Sequence, residues 1–144
     1  MGYVTKQTRE TDEMEEKIMG VADKMNKGGL FTFRFAEGNE PKFINAEALA
    51  GLDPEGKNPF VVRLMYINKG GQFGEHGVLA GNLGKDELCL DCPSHMTDDI
   101  KDWMKDPEIA AQANGGKLGV VAYKYDTKNS TKGYAFGLRF VDLP

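Results

Sequence analysis

The nine residues Phe60-Val61-Val62-Arg63-Leu64-Met65-Tyr66-Ile67-Asn68 alternate with period two and are apolar on both sides. Phe60, Val62, Leu64 and Tyr66 share one face, and Val61, Arg63, Met65 and Ile67 share the other. A strand that is apolar on both sides has to be covered on both, so it sits centrally in a sheet. With 18 glycines and 6 prolines in 144 residues, many tight turns are available, which favours short strands over a helix bundle. A single domain over 1–144 is expected, burying roughly two thirds of the surface its unfolded chain exposes.

Other segments build around that strand. Met14, Ile18, Val21 and Met25 fall at helical spacing, with Thr11 as a cap and Gly28-Gly29 as a stop, giving an amphipathic helix over about 11–27. Leu30 to Phe35 alternates again, with three phenylalanines on one face. Asn45 to Leu52 suits two helical turns, and Glu87 to Asp91 a short strand. Lys69 to Gly84 is glycine-rich and reads as a loop or a loosely paired hairpin around Gly77-Val78-Leu79-Ala80. Thr97 caps a helix, Asp106-Pro107 begins another, and Asn114-Gly115-Gly116 ends it. Leu118 to Tyr125 and Gly133 to Val141 form a hairpin across a polar turn.

The fold class expected is therefore α+β. An N-terminal amphipathic helix precedes a mainly antiparallel, curled sheet or small OB-like barrel. The β-body spans about 30–91, a helical insertion about 97–114, and the C-terminal hairpin about 117–141. A flat α+β sheet is the alternative, and a doubly wound parallel sheet is disfavoured because helices and strands do not alternate.

Charge narrows the function classes. The net charge of −4 and a pI near 5.2 argue against coating nucleic acid over the whole surface. The charge is polarised: residues 85–115 carry three Lys/Arg against eight Asp/Glu, whereas 116–144 carry five against two. Neither a secretory leader nor an apolar run of membrane-spanning length is present, so the expectation is a cytoplasmic protein without membrane contact.

The basic hairpin interleaves Tyr123, Tyr125, Tyr134, Phe136 and Phe140 with Lys117, Lys124, Lys128, Lys132 and Arg139. Aromatic rings stack on bases while cations hold phosphates, so this composition suits single-stranded nucleic acid. Lys132-Gly133-Tyr134-Ala135-Phe136 resembles the opening of the ribonucleoprotein motif shared by RRM and cold-shock domains. The resemblance ends at Gly137, where a β-branched residue is expected, and Leu138-Arg139-Phe140 arrives one position late unless a bulge intervenes. The competing reading is an ordinary amphipathic hairpin with Tyr134, Phe136, Leu138 and Phe140 in the core and solvated lysines.

The leading expectation is a non-enzymatic binder of single-stranded DNA or RNA. Its interface comprises Arg34, Arg63, Tyr123, Lys124, Tyr125, Lys132, Tyr134, Phe136 and Arg139. From another class comes an acidic protein-binding module, an inhibitor or adaptor. It would act through the 96–113 segment with Asp98, Asp99, Asp102 and Trp103, or through the first helix. A third possibility is an assembly subunit whose exposed strand edges pair between chains. His76, Cys89, Cys92 and His95 are all the histidines and cysteines, and Cys89-Leu90-Asp91-Cys92 has the spacing for two zinc thiolates. The order departs from a zinc finger, so two metal-free thiols without a cofactor are expected, with zinc as the alternative. No nucleophile elbow, zinc-protease helix or phosphate loop is present, which leaves an enzyme the least supported class.

Overall fold

The computed structural model describes residues 30–38, 40–70 and 74–144. The chain divides into two units at Phe31/Thr32, and Thr32–Pro144 is the second. The expected helix at 11–27 lies outside the described residues, and the fold is that of the second unit. It is α+β: a six-stranded, mixed, strongly curled half-barrel sheet with three short helices.

The strands are β1 (Lys42–Ile44), β2 (Phe60–Asn68), β3 (His76–Leu83), β4 (Asp86–Asp91), β5 (Leu118–Asp126) and β6 (Tyr134–Asp142). The helices are α1 (Ala46–Leu52), α2 (Thr97–Trp103) and α3 (Pro107–Asn114), with a 3-10 turn at Ser94–Met96 leading into α2. Strand order is β1-β4-β3-β2-β5-β6, and only the β1–β4 pair is parallel. The strand read as central therefore lies inside the sheet, between β3 and β5.

Its alternation is broken by a bulge. Val62 pairs with Gly81 and Leu64 with Ala80, leaving Arg63 unmatched on β3. An extra residue reverses the parity beyond it. Phe60, Val62, Met65 and Ile67 thus share one face, whereas Leu64 and Tyr66 turn to the other, contrary to the single face expected for Phe60, Val62, Leu64 and Tyr66. Gly81 stands opposite the bulge. A Cβ there would meet the Val61 carbonyl oxygen and come within 3.1 Å of the Arg63 nitrogen, so only glycine fits.

On the helix face, a Cβ at Gly77 would collide with Ile100 of α2; the glycine lets that helix lie against β3. Trp103, at the end of α2, meets Phe140 of β6 edge to face at 5.2 Å between ring centroids. On the opposite face, buried Val78, Ala80 and Cys89 pack with Leu64, Tyr66, Phe33 and Phe35. The glycine-rich segment, expected as a loop or a loosely paired hairpin around Gly77-Val78-Leu79-Ala80, thus contains the largely buried strand β3, paired with β4 from Val78 to Leu83. Gly77 and Gly81 mark close approaches of neighbouring chain, whereas Gly74 and Gly84 take positive φ at the ends of the strand.

Leu30 to Phe35, expected as a strand, joins no ladder. Side chains take its backbone donors instead: Thr32 N donates to Asn114 Oδ1 at 3.0 Å and Ala36 N to Glu87 Oε1 at 3.0 Å. Caps follow residue chemistry with one exception. Asn45 accepts from Ala48 N at 2.8 Å, and Asp106 accepts from Glu108 N at 2.9 Å with Pro107 opening α3. Thr97 does not cap α2. It is the first helical residue, the cap position belongs to Met96, and the Thr97 hydroxyl is buried without a partner. Buried Asp53 closes the turn after α1 by accepting from Lys57 N and Asn58 N, each at 2.9 Å.

Candidate nucleic-acid interface

The terminal hairpin pairs without interruption from Leu118 opposite Asp142 to Asp126 opposite Tyr134. There is no bulge at Gly137. Directly opposed residues share a face, so the basic and aromatic side chains divide into two rows. Tyr123, Tyr125 and Arg139 lie on one face. Lys124, Tyr134 and Phe136 lie on the other, the face on which Phe140 meets Trp103 of α2.

Gly137 belongs to the first row and explains why the motif breaks there. It is opposite Tyr123, and a Cβ would stand 2.7 Å from both Cζ and the hydroxyl oxygen of that ring. The missing side chain lets the tyrosine lie down on the strand, a cross-strand aromatic-on-glycine contact. Tyr125 follows at 5.8 Å between centroids, tilted by 42°. At 45% and 41% exposure these two rings remain open to solvent, and Arg139 beside them is exposed.

On the other face Lys124 Nζ lies 4.1 Å above the Tyr134 ring, with Lys132 Nζ at 5.9 Å. Tyr134 meets Phe136 edge to face at 5.8 Å. Lys132 also stands 4.0 Å from Glu47 on α1. Both rings are half-buried, whereas the base of the hairpin, Leu118 to Val121, is buried. The distal half keeps aromatic surface exposed at Tyr123 and Tyr125 and half-buried at Tyr134 and Phe136.

Two of the expected cations are elsewhere. Arg63, in the bulge, donates from Nε to Ala113 O at 3.1 Å and from Nη2 to Asn114 O at 3.3 Å, and its guanidinium lies over Phe33 at 5.7 Å. It thereby ties the end of α3, where carbonyls lack helical partners, to β2. Arg34 Nη1 donates to Phe33 O at 3.2 Å, on a segment packed against β3 and β4. The strand order separates that segment from the hairpin by β2.

The histidines and cysteines do not converge. His76 Nε2 donates to Asp91 Oδ1 at 2.9 Å and Nδ1 lies 3.3 Å from Gly74 O, so both ring nitrogens are engaged. Cys89 is buried beside Tyr66, whose hydroxyl donates to its sulfur at 3.9 Å. Cys92 is buried, and its thiol points to Leu90 O at 3.8 Å. His95 is exposed on the 3-10 turn. Burial raises both thiols, Cys92 to about 12, with Asp91 adding to the effect; burial likewise raises the Tyr66 phenol. Thiols held this way are poor metal ligands and poor nucleophiles at neutral pH. Among the described residues no group of three or more His, Cys, Asp or Glu side chains is placed to hold a metal ion.

Asp98, Asp99 and Asp102 are exposed on α2. Trp103, at the end of the same helix, lines an apolar recess of about 230 Å³ with Met65, Ile109, Leu118 and Phe140. Among the described residues no helix is long and apolar enough to cross a membrane.

Two features escaped the sequence: the bulge that takes up Arg63, and the recess. The only signal for the first was an arginine interrupting an apolar strand opposite a glycine. No protein-family model, curated protein or solved structure matches this chain.

Proposed function

We propose that this protein is a non-enzymatic binder of single-stranded nucleic acid that works through the distal half of its terminal hairpin. One observation carries the reading: Tyr123 and Tyr125 form an exposed pair of rings, one seated on Gly137, with exposed Arg139 on the same face. Rings fixed in advance lose little entropy when a base stacks on them. Stacking contributes roughly 1–3 kcal/mol per base and accepts any base. Lys124 and Lys132 add charge on the reverse side of the same ribbon. Arg34 and Arg63, placed away from the hairpin, are left out of the interface. The curled sheet serves here as an OB-like barrel left open, presenting a ribbon rather than a closed groove.

Anisotropy of a fluorescent oligothymidylate tests this. Binding should weaken as salt rises, with a log–log slope of about −2 if Lys124, Lys132 and Arg139 each neutralise a phosphate. Replacing Tyr123 and Tyr125 with Ala should weaken it at least tenfold without flattening that slope. No binding at low salt would overturn the proposal.

The recess at Trp103 and Phe140 favours a second reading, a protein-docking surface on α2 and α3. Its apolar lining, with exposed Asp98, Asp99 and Asp102 on the helix that ends at Trp103, suits a basic partner with an apolar anchor. Changing those three acids to Asn should abolish function under this reading and leave oligonucleotide binding intact under the first.

A further inference from the structure

Among the described residues strand β6 is the last strand of the sheet, and its backbone identifies what this edge can accept. Leu143 N donates to Lys117 O at 2.8 Å and Thr127 N to Gly133 O at 3.1 Å, at the two ends of the β5–β6 ladder. Hydrogen-bonded and non-hydrogen-bonded pairs alternate between those ends. The backbone groups of Ala135, Gly137, Arg139 and Val141 are therefore turned toward β5. Those of Tyr134, Phe136, Leu138, Phe140 and Asp142 point away from the sheet. The strand has nine regularly paired residues, no proline and one charge, Arg139, before its terminal Asp142. Among the described residues it lacks the proline, bulge or row of charges that usually blunts an edge.

We infer that this edge pairs with the same edge of a second copy, antiparallel and centred on Leu138. That register places Leu138 opposite Leu138, Phe136 opposite Phe140 and Tyr134 opposite Asp142, so the outward groups of one copy meet those of the other. Each such pair exchanges two backbone hydrogen bonds. On the helix face the contact joins half-buried aromatic rows into aromatic cross-strand pairs. On the other face Arg139 stands opposite Gly137, so no like charges are directly opposed. The sequence is self-complementary about Leu138, as a two-fold interface requires. The opposite edge, β1, has three residues and pairs in parallel with β4, which offers no comparable template. The joined sheet would run Tyr123, Tyr125 and Arg139 of both copies along one face. The inference rests on the edge and not on the nucleic-acid reading.

Sedimentation equilibrium of the full chain over about 1–300 μM tests it, together with Leu138→Lys and Leu138→Glu. Each variant sets like charges against each other at the two-fold axis. The wild type should reach twice the chain mass, each variant alone should stay at least tenfold weaker, and an equimolar mixture of the two should dimerise again. A third variant, Leu138→Pro, should also stay monomeric, since it removes an outward N–H that β5 does not use; a cooperative thermal transition is the check that it folds. A wild type that remains monomeric at the highest concentration, species larger than a dimer, or a mixture that stays monomeric while both variants are folded would each overturn the inference.

Discussion

The central β2–β3 ladder and the terminal β5–β6 ladder use glycine in opposite ways. In the first, Gly81 makes room for backbone: the bulge at Arg63 pushes the Val61 carbonyl into the space a Cβ would fill. In the second, Gly137 makes room for a side chain, the ring of Tyr123, and the register never shifts. The bulge sits where both faces are covered and an arginine has to reach a helix end. The unshifted pair sits in the distal half of the terminal hairpin, where the rings of Tyr123 and Tyr125 stay exposed. Backbone accommodation at Gly81 serves the scaffold, whereas side-chain accommodation at Gly137 shapes the exposed hairpin surface.

Four substitutions separate these roles. Gly81→Ala should be the most damaging, about 4 kcal/mol or loss of the cooperative transition, because the obstructing atoms belong to backbone. Urea denaturation measures it. Arg63→Ala should cost about 2 kcal/mol, the scale of a charged donor lost from buried carbonyls, and Arg63→Lys should recover little because an ammonium cannot span both carbonyls. Oligonucleotide affinity should be unchanged in either variant. Gly137→Ala should cost only about 1 kcal/mol, since the Tyr123 ring can rotate away, yet it should weaken oligonucleotide binding and alter the near-ultraviolet dichroism of the tyrosines. Equal losses of stability at Gly81 and Gly137 would erase the distinction.

The smallest effect appears only at alkaline pH. The folded-state values of Tyr66, Cys89 and Cys92 lie above their ordinary ones. Their stabilising contribution is therefore complete below the unfolded values, about 8.5 for a thiol and 10 for a phenol, and is lost as pH rises past them. Urea midpoints should fall above about pH 8.5. Tyr66→Phe should remove the part of that fall beyond about pH 10 and leave the thiol part.

The sequence made some of this legible and hid the rest for identifiable reasons. The strands at Phe60–Asn68, Asp86–Asp91 and in the terminal hairpin, and the helix opened by Asp106-Pro107, were readable because local signals and burial agree there. Strand β3 was hidden because Gly77 and Gly81 look like turn residues, whereas their partners, Ile100 and the Val61 backbone, are distant in sequence. The Leu30 to Phe35 alternation marked a covering segment rather than a strand, since Asn114 and Glu87 take the amides a ladder would have used. For the interface, composition singled out the hairpin but not its two rows. The displacement of Arg63 follows from a register shift that no local pattern announces.

The most direct test of the interface is a titration of isotopically labelled protein with unlabelled octathymidylate, followed by amide chemical shifts at low salt. Shifts concentrated at Val121 to Asp126 and Tyr134 to Arg139 are the predicted result. Shifts centred on Asp98 to Ile109, or none at a tenfold excess of oligonucleotide, would contradict it.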